Sequence, residues 1–211
     1  MTVVDAKQEI LARIRSAQRS AELPASVTAP RDYNRIGTTD LDELQTLLID
    51  RLEDYRAEVH VTSTGELASS IVAILTQRNA HNVKFAPGVD PGLFADFTGT
   101  ALSDDPATDP RELNAVDAVV TESTVSCAQT GTIVLTSGEK DGRRAFSLVP
   151  DRHICIVRAE SIVFGVPEMI AHMDPSRPST LISGPSATSD IELSRVEGVH
   201  GPRDLIVVIV R

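Results

Sequence analysis

The sequence predicts an α/β domain with a mostly parallel sheet and helices on both faces of that sheet. Short runs of Val, Ile and Leu alternate with amphipathic segments along much of the chain, a rhythm typical of strands connected by helices. The apolar runs lack alternating polar residues, which indicates strands that are buried on both faces. A chain of 211 residues is also long enough to bury such a core as one domain.

Two helices are predicted before the sheet begins. Apolar residues recur at helical spacing from Ile10 to Ala17, and again from Leu41 to Tyr55. Between them, residues 21–40 contain prolines and glycine with little periodicity, which predicts an extended arm. We therefore divide the chain into an N-terminal helix and arm, residues 1–40, and an α/β domain, residues 41–211.

The rest of the chain supplies the predicted sheet. Residues 59–61 and 83–86 flank a helix that a capping box at Ser63 and Glu66 begins, and this βαβ unit predicts that its two strands pair in parallel. Residues 103–112 form an acidic, proline-containing connection that we expect on the surface. Further apolar runs of buried-strand length are residues 118–120, 133–135, 154–157, 181–182 and 205–210. A further helical face is predicted from Ile162, Val163, Val166, Met169, Ile170 and Met173.

Composition excludes several classes of function. Thirty acidic and twenty basic residues give a formal net charge of −10, which argues against nucleic acid and anionic lipid as partners. No apolar run approaches the roughly 18 residues of a membrane span, and the N-terminus has no signal-peptide pattern, so we expect a soluble, cytoplasmic protein without membrane insertion. Neither a dinucleotide-binding glycine motif nor a P-loop occurs.

The two cysteines predict packing roles rather than a redox centre. Cys127 and Cys155 are far apart in the chain and form no Cys-x-x-Cys motif, whereas an iron–sulfur cluster usually needs four thiolates. The five histidines show no spacing typical of a metal site. We therefore expect the chain to hold no intrinsic cofactor and no metal.

The densest group of polar residues follows the run at 181–182. A turn of glycine, proline and hydroxyl residues there predicts a site for a small anion, because short side chains and backbone N–H groups converge at such turns. The predicted ligand-binding residues of this turn are Ser183, Gly184, Pro185, Ser186, Thr188 and Asp190. An alternative assigns Asp190 to helix capping, since Ser189 and Glu192 have the spacing of a capping box.

Other candidate residues lie on neighbouring segments. His200 and Glu122 are candidate catalytic residues, because imidazole and carboxylate groups move protons and Glu122 ends a predicted strand. Further predicted ligand-binding residues are Thr130, Gly131, Thr132, Arg144 and Gly201. We expect the loops around Glu122, Thr130, Ser186 and His200 to meet in one cleft, and we interpret His153 as structural. Each candidate also has an ordinary alternative, such as a turn-stabilising role for His200.

Five segments of the chain together carry a resemblance to a known family. They are Thr130-Gly131-Thr132-Ile133-Val134-Leu135, Gly142-Arg143-Arg144, Val149-Pro150-Asp151-Arg152-His153-Ile154, the segment from Ser183 to Glu192, and Gly198-Val199-His200-Gly201-Pro202. These segments resemble the lactate utilization protein C family, whose members contain a LUD domain, and the resemblance covers roughly residues 115–211. It implies a fold similar to the NagB/RpiA/CoA-transferase-like superfamily.

The resemblance also implies a function. It places the chain in a system that oxidises L-lactate to pyruvate together with two partner subunits that carry iron–sulfur clusters. In this reading the chain binds a small anionic ligand, docks the partner subunits, or does both. The alternative is a stand-alone transferase or isomerase that acts on a CoA thioester or a sugar phosphate with Glu122 and His200 as reactive groups. A shared fold does not decide between these functions.

Overall fold

A computed structural model of the protein describes residues 6–24, 26–188, 196–197 and 201–211. The chain divides into two units, Met1–Tyr33 and Asn34–Arg211. The first unit contains helix α1 (Ala6–Ser20), which confirms the first predicted helix and has no buried side chain. The second unit contains the sheet, and its first element is helix α2 (Leu41–Asp54). The Asp40 carboxylate begins α2 by accepting hydrogen bonds from the backbone N–H groups of Asp42 and Glu43, at 2.9 and 3.2 Å.

The second unit contains two main sheets. Its strands in chain order are β1 (Glu58–Thr62), β2 (Asn82–Phe85), β3 (Thr100–Ser103), β4 (Ala118–Glu122), β5 (Val125–Cys127), β6 (Thr132–Leu135), β7 (Arg152–Arg158), β8 (Ile162–Val163), β9 (Thr180–Ile182), β10 (Ala187–Thr188), β11 (Val196–Glu197) and β12 (Asp204–Val210). A six-stranded parallel sheet has the order β1-β12-β7-β4-β2-β3, and a four-stranded sheet has the order β8-β5-β6-β9. Strands β10 and β11 form a separate antiparallel pair.

Burial explains the order of the large sheet. Strand β12 is buried from Leu205 to Val210 and lies between β1 and β7, as expected for a strand with an unbroken apolar run. The edge strands β1 and β3 carry exposed side chains such as Val61 and Leu102. The predicted parallel pairing of β1 with β2 is wrong, because β12, β7 and β4 lie between these two strands.

Both faces of the six-stranded sheet are covered, which confirms the predicted fold class. Helix α3 (Leu67–Gln77) packs on one face through Leu67, Ile71, Ile74 and Leu75, against β7 and β12 residues such as Ile154 and Ile206. On the other face α2 contributes Leu44, Leu48 and Leu52 to a cluster that also contains β6, β7 and β12 residues. The run at 133–135 therefore belongs to the covering layer and not to the large sheet.

The predicted helical face from Ile162 to Met173 is wrong at both ends. Residues Ile162–Val163 form β8, which pairs in parallel with β5, and helix α4 spans only Val166–Ala171. Pro167 explains the later start, since proline fits in the first turn of a helix but not in its interior. A helix that includes Pro167 therefore has to begin at about this point.

Candidate ligand-binding site

A cavity of about 260 Å³ lies beside the amino ends of β7 and β12. Strand β9 and the loop that follows it form one wall, and Ser147, the last residue of a 3₁₀ turn at Arg144–Ser147, also lines the cavity. The lining residues are Ser147, Leu148, His153, Thr180, Leu181, Ile182, Ser183, Gly184, Pro185, Ser186, Gly201, Pro202 and Leu205. Apolar walls with a few hydroxyl and backbone groups are typical of small-molecule sites.

The predicted Ser183–Ser186 turn forms part of this cavity, as does Gly201. The backbone N–H of Ser186 donates to the carbonyl of Pro202 at 2.7 Å, which joins the turn to the segment that enters β12. Gly184 has φ of +85°, and a Cβ atom there would lie 2.7 Å from Tyr55 at the end of α2. The turn therefore requires glycine at this position, both for its backbone conformation and for its close approach to Tyr55.

The Thr130-Gly131-Thr132 segment supports the same turn from outside the cavity. The hydroxyl groups of Thr130 and Thr132 are 2.8 Å apart, and Thr132 Oγ1 is 2.9 Å from Ser183 Oγ. None of these three residues lines the cavity. The structure thus brings this segment to the predicted site as its support, with the Thr130 hydroxyl bonded to Thr132 and the Thr132 hydroxyl bonded to Ser183.

Glu122 lies away from the cavity, contrary to the expectation of one shared cleft. It ends β4 and pairs with Ile156, three residues beyond His153 along β7, or about 10 Å at 3.3 Å per residue. Its Oε1 accepts a hydrogen bond from Lys140 Nζ at 2.6 Å, and its Oε2 accepts two from Arg158 at 3.2 Å. The Ser183 turn follows β9 of the smaller sheet and is bonded through the Ser186 N–H to Pro202, just before the amino end of β12. Glu122 lies instead at the carboxyl end of its parallel strand.

The other predicted residues have different positions. Arg144 is exposed and its Nη1 is 3.4 Å from the carbonyl oxygen of Ser179, next to the lining residue Thr180. The backbone of Thr188 belongs to β10, which pairs with β11. Asp190, His200 and the proposed capping box at Ser189 and Glu192 lie outside the described residues.

The main residue that sequence reasoning missed is His153. Its side chain is completely buried, yet it forms part of the cavity wall. Its Nε2 is 2.8 Å from Thr121 Oγ1, and its Nδ1 has no hydrogen-bond partner among the described residues. Burial lowers the pKa of His153 to about 4, so the imidazole is neutral near pH 7. An ionisable residue directly before the apolar run at 154–157 was the signal available in the sequence.

This burial predicts a pH dependence of stability. The pKa of His153 is about 4 in the folded state and 6.5 in an exposed chain, so the unfolded state binds the proton at higher pH. The stabilisation is therefore complete above about pH 6.5 and is lost as the pH falls toward 4. We expect a loss of up to about 3 kcal/mol over this window, at about 1.4 kcal/mol per pKa unit. Urea unfolding at a series of pH values measures it.

A His153→Gln variant is the comparison for that measurement, because glutamine does not titrate. Its free energy of unfolding should fall less steeply between about pH 6.5 and 4 than that of the wild-type protein. Asp117 and Asp151 do not confuse the comparison, since hydrogen bonds lower the pKa of each below the ordinary value of 3.8. Equal pH profiles for the two proteins would contradict a buried neutral His153.

Metal and membrane sites do not emerge from the part of the chain that the structure describes. In that part, no group of three His, Cys, Asp or Glu side chains is arranged to hold a metal ion. Cys127 and Cys155 are both buried and unbridged, and burial raises the pKa of the Cys155 thiol to about 12. None of the helices among those residues has the length and apolar character needed to cross a bilayer.

Comparison with known proteins identifies the domain that contains this cavity. The family model of the LUD domain matches residues 46–210. The chain belongs to the LUD domain family. Within this LUD protein the match begins in α2 and extends to the last residue of β12, so every lining residue of the cavity lies inside it.

Relatives of this LUD protein include two that are named for lactate utilization. Lactate utilization protein C of Deinococcus radiodurans is 44% identical, with 76% of each chain covered. Lactate utilization protein C 1 of Bacillus mycoides is 25% identical over the whole of this chain and 99% of its own. A crystal structure of a DUF162 family protein from Deinococcus radiodurans superimposes with a TM-score of 0.68 at 34% identity, covering 82% of this chain and all of that one. These comparisons confirm the resemblance found in the sequence.

Proposed function

We propose that this LUD protein is a component of a cytoplasmic L-lactate utilization system and that the cavity binds a small carboxylate ligand. The observation that carries the proposal is a cavity of about 260 Å³ whose wall is the Ser183–Ser186 turn, within a domain shared with proteins named for lactate utilization. The volume lies just below the roughly 300–1,000 Å³ usual for ligand pockets, which favours a small ligand.

Charge favours one orientation of a carboxylate in this site. Among the residues that the structure describes, none that lines the cavity is Lys, Arg, Asp or Glu, so this part of the lining carries no formal charge. Arg144 lies at its edge, beside Ser179 and in the same 3₁₀ turn as the lining residue Ser147. A guanidinium group in that position suits a carboxylate, which pays less desolvation cost at an exposed edge than in the interior. We propose that the carboxylate faces Arg144 and that the rest of the ligand enters the cavity.

The redox step is assigned to partner subunits. Oxidation of lactate to pyruvate releases two electrons and two protons, and the electrons need an acceptor. The chain contains two cysteines, both buried, whereas a cluster usually needs four thiolate ligands. We propose that iron–sulfur partner subunits receive the electrons, and that this chain positions the ligand for them.

Growth of a deletion strain tests this function. Loss of this chain should impair growth on L-lactate and leave growth on pyruvate normal, because pyruvate enters metabolism after the proposed step. A Ser186→Ala, His200→Ala double variant should fail to restore growth on L-lactate. Ser69→Ala, on α3 outside the cavity lining, is the control and should restore growth fully. Equal growth of the deletion strain on both carbon sources would refute the proposed function.

A further inference from the structure

His153 lines the cavity, and its buried Nδ1 atom has no hydrogen-bond partner among the described residues. Two buried side-chain nitrogen atoms among the described residues have no hydrogen-bond partner, Arg78 Nε and His153 Nδ1, and of these two residues only His153 lines the cavity. A buried polar atom without a partner is destabilising, so native proteins rarely leave one unless function requires it. The imidazole already lacks contact with bulk water, so a ligand that bonds to Nδ1 adds no further desolvation cost for this group.

The neighbours of His153 define which hydrogen bonds Nδ1 can make. The Thr121 hydroxyl has one proton and lies 2.8 Å from His153 Nε2 and 3.6 Å from Cys155 Sγ. When Thr121 donates to Nε2, Nδ1 carries the proton of the neutral ring and is a donor. When Thr121 donates to Cys155, Nε2–H donates to Thr121 and Nδ1 is an acceptor. In both arrangements Nδ1 has one hydrogen bond left to make.

The chemical partner that fits both arrangements is a hydroxyl group, which donates and accepts. A keto oxygen or a carboxylate only accepts, so it fits only the arrangement with a proton on Nδ1. A carboxylate is also unsuitable next to a neutral imidazole in a wall whose described residues carry no formal charge, because burying an unpaired charge costs much more than burying a hydroxyl.

We infer that His153 determines specificity by bonding through Nδ1 to the hydroxyl group of a 2-hydroxy carboxylate whose carboxylate faces Arg144. The inference rests on the proposed function, since it names the part of the ligand that the cavity recognises. Sites that hydrogen-bond a substrate hydroxyl discriminate strongly against the analogue that lacks it, because the protein group is then left without a partner. L-lactate and propionate are the matched pair of probes, since they differ only in the 2-hydroxyl group.

Two variants of His153 separate its two nitrogen atoms. Asparagine places an amide atom near the position of Nδ1, and glutamine places one near Nε2. His153→Gln should therefore keep the bond to Thr121 and lose the bond to the ligand, whereas His153→Asn should do the reverse. Calorimetric titration of the full chain should show L-lactate binding at least about tenfold more tightly than propionate to the wild type. The preference should disappear in His153→Gln and remain at about threefold or more in His153→Asn.

Nitrogen NMR of the wild-type protein gives a readout that does not depend on how the variants fold. With ¹⁵N-labelled histidine, L-lactate should shift the Nδ1 resonance of His153 and propionate should leave it in place. Sequential assignment of the wild-type protein identifies that resonance. If neither L-lactate nor propionate binds, the proposed carboxylate ligand and this inference are both overturned. Two results would overturn this inference alone. One is binding of L-lactate that leaves the Nδ1 resonance unmoved, and the other is a preference for L-lactate over propionate that is as strong in His153→Gln as in the wild type.

Discussion

Substitution of Arg143 by methionine is expected to lower the free energy of unfolding by about 3–5 kcal/mol, the usual cost of leaving one partner of a buried ion pair alone. The Arg143 guanidinium bonds to both Asp104 oxygens, Nε to Oδ2 at 2.8 Å and Nη2 to Oδ1 at 3.1 Å, and its Nη1 donates to the Thr108 carbonyl at 2.7 Å. The Asp104 side chain is only 1% exposed. Methionine keeps the apolar stem of arginine but leaves the carboxylate buried without a cation. The midpoint temperature of thermal unfolding should fall by about 10 °C.

An exposed pair of the same chemistry provides the control. Arg111 also binds Asp109 through Nε and Nη2, but its side chain is 90% exposed. Arg111→Met should therefore leave the free energy of unfolding close to that of the wild type. Adding Asp104→Leu to Arg143→Met should recover much of the loss, because the unpaired charge is removed. A loss below about 1 kcal/mol in Arg143→Met would contradict the buried pair.

Gly184→Ala is expected to destabilise the protein by about 3 kcal/mol and to abolish ligand binding in the cavity. The positive φ of +85° costs an alanine roughly 1–2 kcal/mol. The new Cβ would also lie 2.7 Å from both the Cβ and the carbonyl oxygen of Tyr55, and relief of such a contact by backbone movement typically costs about 1–3 kcal/mol. The turn would have to move away from α2, which displaces the lining residues Ser183 and Ser186. Chemical denaturation and calorimetric titration with L-lactate measure the two effects.

Gly65→Ala is the matched control for that substitution. A Cβ at Gly65, in the 3₁₀ turn before α3, meets no atom within 4 Å, and the backbone there is not left-handed. Alanine at Gly65 should leave both stability and binding close to wild type. If Gly184→Ala behaved in the same way, the cavity wall would not depend on this turn geometry.

The sequence was informative wherever local pattern decides structure. The apolar run at 205–210 predicted a buried strand, and β12 lies inside the parallel sheet as such a run requires. It was uninformative about Asp104, which belongs to a connection with the composition of a surface loop. Asp104 is buried because Arg143, thirty-nine positions later, pairs with it. Partners at such separation leave no periodic signal in a single sequence.

What the sequence by itself determined is the α/β class, the position of several strands, the resemblance to LUD proteins and the turn at Ser183–Ser186, because each depends on residues that are close in the chain. The tertiary structure alone decided which of these features share a site. It joined the Ser183 turn to Gly201 and His153 at the amino end of the parallel strands, and it left Glu122 at the carboxyl end. Strand order and direction fix that division, and both depend on packing between distant segments.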